Sequence, residues 1–268
     1  MTKRSPHLKI FTAVLIALLA AGWMAASSGS DAGIQLAPPV GHRLERDTSS
    51  TVLINALKSI AQARKAVVEN LTNAKAMNYK RNLVHFVDGS TVLVKRDFAQ
   101  GELSMTGRSL DVAIAGKGFL SVSDTNGKTF YTRRGDLLMN SEGQLGLTKG
   151  YTLEPGICVP TDVINVAVSE DGSVTCQNDD GSLFVVGSLQ LHRFSNEDGL
   201  AYQGAGMFLP TDLSGSPVIV TPGSNGTGSI RAGFIEGSNV NEMEEMRILE
   251  DLKTFEDRVQ RALQLAGD

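Results

Sequence analysis

Apolar residues recur at helical spacing only towards the two ends of the chain. From Thr51 onward, Leu53, Leu57, Ile60, Val67, Leu71 and Ala74 follow one another in steps of three and four, with Arg64 at the one position where the step meets a polar residue. Such spacing places the side chains on one face and predicts a helix over 51–78. Ile248, Leu252, Phe255, Val259, Ala262 and Ala266 repeat the pattern among Glu, Asp, Lys and Arg. Asn239 or Asn241 can cap this second helix, and Glu242, Glu244 and Glu245 suit the positive end of its dipole. Two seams of the same period at opposite ends predict that the helices pair as a coiled coil.

Between the seams the period changes. Short apolar runs such as Val112 to Ile114, Phe119 to Val122, Val163 to Val168, Leu183 to Val186 and Leu189 to His192 alternate with turn signals. The clearest of these are Asp124-Thr125-Asn126-Gly127, Asn140-Ser141-Glu142-Gly143, Glu170-Asp171-Gly172 and Asp179-Asp180-Gly181. Strand-length runs between Asx-Gly turns predict an antiparallel β domain over 111–232. The fold class expected is mainly β with α termini. An extended connector fills 79–110, and a C-terminal segment with the second helix fills 233–268.

The first 50 residues carry neither pattern. Lys3, Arg4 and Lys9 precede an uncharged run from Ile10 to Ala26 and small residues up to Ser28, so 1–30 reads as a signal peptide or a membrane anchor. The run is long for a secretory signal and short for a membrane span, which leaves open both cleavage after Ser27 and retention in the inner membrane through residues 10–26. In either case the basic flank predicts that the rest of the chain lies on the periplasmic side. Residues 31–50, with Gly, Ser and the Pro38-Pro39 pair, read as a linker.

Charge and chemistry narrow the picture. The chain of 268 residues has a formal net charge of minus 4. The first 30 residues hold three of the 25 bases and none of the acids, so the remainder has 22 bases against 29 acids, or minus 7. An acidic body argues against nucleic acid as a partner. Cys158 and Cys176 either form one bridge in an oxidising compartment or stand as two independent thiols. His7, His42, His85 and His192 are dispersed, no Ser or Cys sits in a nucleophile elbow, and the acidic turns lack the alternating oxygen ligands of a calcium loop. No catalysis, cofactor, metal or small-molecule substrate is expected. Arg134-Gly135-Asp136 is an adhesion-type tripeptide and Gly116-Lys117-Gly118 superficially a phosphate loop, but both read first as turns.

Four ordered blocks add a resemblance. They are Asn70-Leu71-Thr72-Asn73 with Tyr79-Lys80-Arg81, and Arg96-Asp97-Phe98 through Gln100-Gly101-Glu102-Leu103 and Asp111 to Ile114 into Gly116-Lys117-Gly118-Phe119. After these come Tyr131 to Asp136, and Gly233 to Asn241 with Glu244-Glu245-Met246. Together they resemble the flagellar basal-body rod and hook family over about residues 51–260, nearest the distal rod type. The matching positions include Asn70, Asn73, Gly101, Asp111, Gly116, Gly118, Phe119, Gly135, Asn239 and Asn241. The resemblance implies a structural subunit of the bacterial flagellum, used in cell motility. Its partners would be copies of itself and other rod or hook subunits, met through Leu53, Leu57, Ile60, Val67 and Leu71 on one helix and Ile248, Leu252, Phe255 and Val259 on the other. The chain departs from the family in its leader, in Met77-Asn78 where a Thr-Gly type turn is usual, in a short stretch between Arg81 and Val92, and in its early stop. A membrane-anchored periplasmic binding or adhesion module built on the same β domain is the alternative, and ordinary intramolecular packing is the plainer reading of the seams.

Overall fold

The computed structural model describes residues 41–87, 91–148, 150–224 and 226–267, with side chains from Ser50 onward. The leader expected over 1–30 lies outside them. Among the described residues no helix is long and apolar enough to cross a membrane. Across the described residues the chain is mostly β with one long helix towards each end, and the ladders from Leu103 to Glu236 are antiparallel. It divides into two compact units. One comprises residues up to Glu69, Asn82–Lys95 and Met243–Asp268, and the other comprises Asn70–Arg81 and Arg96–Glu242.

The first unit contains both helices. Helix α1 runs Gly41–Thr72 and helix α2 runs Glu242–Gly267. Neither contains Pro, and Gly occurs only at their ends, which lets long runs of Ala, Leu, Glu, Lys and Arg hold helical geometry. Helix α1 starts at Gly41, inside the stretch whose composition reads as linker. The strands Asn82–Phe86 and Val92–Arg96 pair as a hairpin within the stretch expected to be extended. Phe86 meets Phe255 of α2 edge to face at 6.3 Å between ring centroids, and Arg64 of α1 donates to Glu256 of α2 at 3.1 Å. Phe255 thus serves a hairpin contact as well as the helix seam.

The second unit is all β. Its largest sheet orders seven strands as Ala201–Gly204, Met207–Leu209, Thr129–Thr132, Leu120–Ser123, Tyr151–Glu154, Leu145–Leu147 and Leu138–Met139. A three-stranded sheet of Asn165–Val168, Ser173–Gln177 and Leu183–Ser188 packs its inner residues Val174, Cys176 and Phe184 into the same core. Asx-Gly chemistry sets the turns. The Asp124 carboxylate accepts N–H bonds from Asn126 and Lys128 while Gly127 takes a left-handed φ of 77°, and the Asn140 side chain treats Glu142 and Gln144 the same way. Asp171 and Asp180 accept from Ser173 and Ser182, so these acids close their own turns.

Two further ladders close the unit where the chain comes in and goes out. Ser229–Ala232 pairs with Val112–Ala115, and Phe234–Glu236 pairs with Leu103–Met105.

Candidate functional site

Two features concentrate the residues that the sequence singles out. The first is the pair of terminal helices. On α2, of the four residues singled out, Leu252 and Val259 are buried, while Ile248 and Phe255 are half-buried. On α1 the seam is rotated. Leu53, Ile60 and Val67 are buried as expected, but Leu57 and Leu71 are half-buried, and Arg64 is exposed and reaches Glu256. Ala56, Ala63 and Ala66 take the buried positions instead. The buried face of α1 thus sets small alanine side chains between Leu53, Ile60 and Val67.

The second feature is a buried charge junction in the β unit, centred on Glu236, whose side chain is fully buried. One carboxylate oxygen accepts from the Lys80 ammonium at 2.7 Å and from the Gly101 N–H at 2.9 Å, and the other accepts from the Arg133 guanidinium at 2.8 Å. Arg133 then donates to the carbonyls of Ile114, Gly116 and Gly118, and Lys80 to that of Ala99. Asn239 completes the set: its oxygen accepts from Arg81 N–H at 2.7 Å and its nitrogen donates to the carbonyls of Asp97 and Ala99. All four motif blocks therefore meet at one point. Burial alone would push the Glu236 carboxyl up, but Arg133, Lys80 and the Gly101 N–H together hold it below the usual carboxylate value. Burial and the neighbouring Arg133 lower the Lys80 ammonium, and Glu236 opposes them.

The remaining motif positions are explained by space or by bonding. A Cβ at Gly101 would collide with the Gly237 carbonyl, and one at Gly135 with the Val112 carbonyl. Gly116 and Gly118 have φ of 119° and 133°, and a side chain at Gly116 would press on Gly228. Phe119 lies among Phe98, Phe194 and Phe208 at 5.4 to 6.0 Å. Asn70 is buried and accepts from the Tyr79 hydroxyl, and Asn73 shapes the turn that follows α1. Asp111 is buried, its backbone paired with Gly233 and its carboxylate near Arg108. Asn78 has φ of 58°, a left-handed position for which Asn is the usual second choice after Gly, so the worn turn keeps its geometry. Of the two cap candidates, Asn239 is committed to the junction, while Asn241 immediately precedes α2.

The plainer readings of the sharper motifs fit the structure. Arg134 pairs with Asp136 and also bonds Thr148, so the tripeptide is folded on itself. The carbonyls of Gly116 and Gly118 face an arginine, the opposite of an anion cradle. Cys158 and Cys176 are unbonded, and the bridge considered from the compartment argument is not formed. Cys158 is exposed on an edge bridge with Gln144, and Cys176 lies in the core with its thiol pushed up by burial.

The family model described as the flagellar hook protein FlgE/F/G D1 domain matches residues 113–176. The flagellar basal-body rod protein FlgG of Buchnera aphidicola subsp. Schizaphis graminum is 40% identical over 157 residues, covering 58% of this chain and 60% of that protein. FlgG of Agrobacterium fabrum is 35% identical over 157 residues, with the same two shares, and FlgG of Bacillus subtilis is 27% identical over 220 residues, covering 70% of this chain and 83% of that protein. Over these residues the chain is similar to the flagellar rod and hook proteins. It spans about three fifths of the length of the first two rod and hook relatives named. Within the rod and hook motifs, Lys80, Arg133 and Glu236 carry a role that spacing did not reveal. The one sequence signal is at Glu236, a lone charge in the apolar and glycine-rich run Gly233-Phe234-Ile235-Glu236-Gly237; Lys80 and Arg133 stand beside other charges and carry none.

Proposed function

We propose that this chain is a structural subunit of the flagellar basal-body rod, that it polymerises through its two terminal helices, and that it catalyses nothing. The observation that carries the reading is the pairing of a self-sufficient β unit with two helices that each bury a single stripe and leave the rest of the surface open. A pair of helices is marginal on its own, and neighbouring subunits supply the missing cover. In this reading α1 and α2 pair as a short coiled coil, with Leu53, Ile60 and Val67 facing Leu252 and Val259, and Arg64–Glu256 as a flanking ion pair. The partners are copies of the same chain and other rod or hook subunits. The assembly sits in the periplasmic part of the basal body, and the apolar run at 10–26, if retained, ties it to the inner membrane.

The test is made in the flagellated source cell. A tagged chain should co-purify with isolated hook-basal bodies. Leu57→Asn combined with Leu252→Asn should abolish both its incorporation and swimming, while the β unit keeps its near-UV circular dichroism. Unchanged swimming in that double variant, or a chain found only in membranes without basal bodies, refutes the proposal.

A further inference from the structure

The solvent face of α1 carries a second stripe, opposite the buried one. Ile54, Lys58, Ala61, Lys65 and Val68 follow in steps of four, three, four and three, and all five are exposed. Ile54 is 43% exposed and Val68 46%. The stripe alternates an apolar residue with a lysine at heptad spacing, the pattern of a seam rather than of a solvated helix face. Over Ser50–Thr72 this helix has three bases, Lys58, Arg64 and Lys65, against one acid, Glu69.

Helix α2 shows the complementary arrangement. Its exposed side carries Met243, Met246, Glu250 and Asp257, with Met243 78% and Met246 52% exposed. From Glu242 to Ala266 it has seven acids against four bases, so its net charge is minus 3. Lys58 and Lys65 stand seven residues apart, and so do Glu250 and Asp257. Two turns of helix therefore separate each pair, and the two pairs register when the helices lie side by side. None of the four side chains enters an ion pair or hydrogen bond given for the described residues. Lys253, Thr254 and Arg261 border the acidic line and limit where a basic partner can sit.

We infer that the outer face of α1 docks on the outer face of α2 of a second copy of this chain in parallel register, with Lys58 opposite Glu250 and Lys65 opposite Asp257, which brings Ile54 against Met246. This rests on the polymerising role proposed above and deepens it by naming the two surfaces. Because the surfaces differ, the contact is heterologous. Each copy offers one of each, and repetition without closure makes a filament. Exposed ion pairs contribute little affinity, so the charges set register and choice of partner while the apolar positions hold the copies together.

Charge exchange tests it on the full chain, with sedimentation as the readout. Lys58→Glu with Lys65→Glu should raise the concentration needed for polymerisation at least tenfold, and so should Glu250→Lys with Asp257→Lys. An equimolar mixture of the two double variants should polymerise near the wild-type concentration, because every contact in an alternating filament then pairs opposite charges. The chain carrying all four reversals should do the same alone. Wild-type polymerisation should weaken on raising the salt from 0.1 to 1 M. If the double variants, folded by circular dichroism, polymerise like wild type, or if neither the mixture nor the fourfold variant recovers, the docking is refuted while the polymerising role stands. A wild-type chain that stays monomeric at all concentrations removes both.

Discussion

Replacing Glu236 by Gln keeps the shape of the side chain at the junction and removes only its charge. The carboxylate accepts three bonds, from Lys80, Gly101 and Arg133. A carboxamide has one acceptor oxygen, so its NH2 must point either at the Arg133 N–H or at the Lys80 and Gly101 donors. At least one donor is left facing another, and two buried cations lose their counter-ion. Removing one member of a buried ion pair costs about 3–5 kcal/mol. With a urea slope of about 2–3 kcal/mol per molar, the midpoint should fall by roughly 1–2 M. All four tyrosines, Tyr79, Tyr131, Tyr151 and Tyr202, lie in the unit that holds the junction, so their near-UV signal reports its unfolding. The gap between variant and wild type should narrow in alkali. Lys80 already has a lowered pKa and, without Glu236, sheds its proton more readily; between its folded value and the ordinary 10.5 the unfolded chain binds more protons, so stability rises with pH. A loss below about 1 kcal/mol at pH 7, or a gap that does not depend on pH, would refute the assignment of Glu236 as the centre that holds the four segments together.

Other outcomes follow from the same geometry. Gly135→Ala drives a methyl group into the Val112 carbonyl and should cost about 3 kcal/mol, at the upper end for overpacking, seen as a lower thermal midpoint. His192 is buried against Tyr131, its Nδ1 has no partner, and burial lowers its pKa although Glu154 pulls the other way. The folded state then binds fewer protons than the unfolded one between that lowered value and 6.5, so stability should be full above pH 6.5 and fall as acid is added; His192→Gln should flatten this part of the curve. Glu236 gives a separate loss that begins below its ordinary value of 4.5, as its carboxyl is forced to protonate. One thiol per chain, Cys158, should react with an aromatic disulfide reagent in the native protein and the second, Cys176, only after unfolding.

How far the fold could be read from the chain depended on how local its cause was. The Asp124 and Asn140 turns are written in five consecutive residues, each an Asx side chain satisfying the N–H groups two and four positions on with a left-handed Gly between them, and they stand where the pattern put them. The α2 seam was legible because Leu252 and Val259 are large and their neighbours charged. On α1 the buried line passes through Ala56, Ala63 and Ala66, residues too small to weigh in a hydrophobic pattern, so the face was misplaced towards Leu57, Arg64 and Leu71. The junction was hidden for a different reason. Lys80 and Glu236 are 156 positions apart and Arg133 and Glu236 are 103, and isolated charges read as surface unless their partners are known.

Asn239 holds the N–H of Arg81, and the strand before it pairs with Leu103–Met105, so the polypeptide arrives at the β unit and departs from it through the same doorway. A sheet stack whose incoming and outgoing strands are fastened side by side can lengthen or shorten its far turns without loosening that fastening. Large inserts should therefore be tolerated at a hairpin such as 178–182, and a break placed between Ala99 and Gly101, where the strands are fastened, should not.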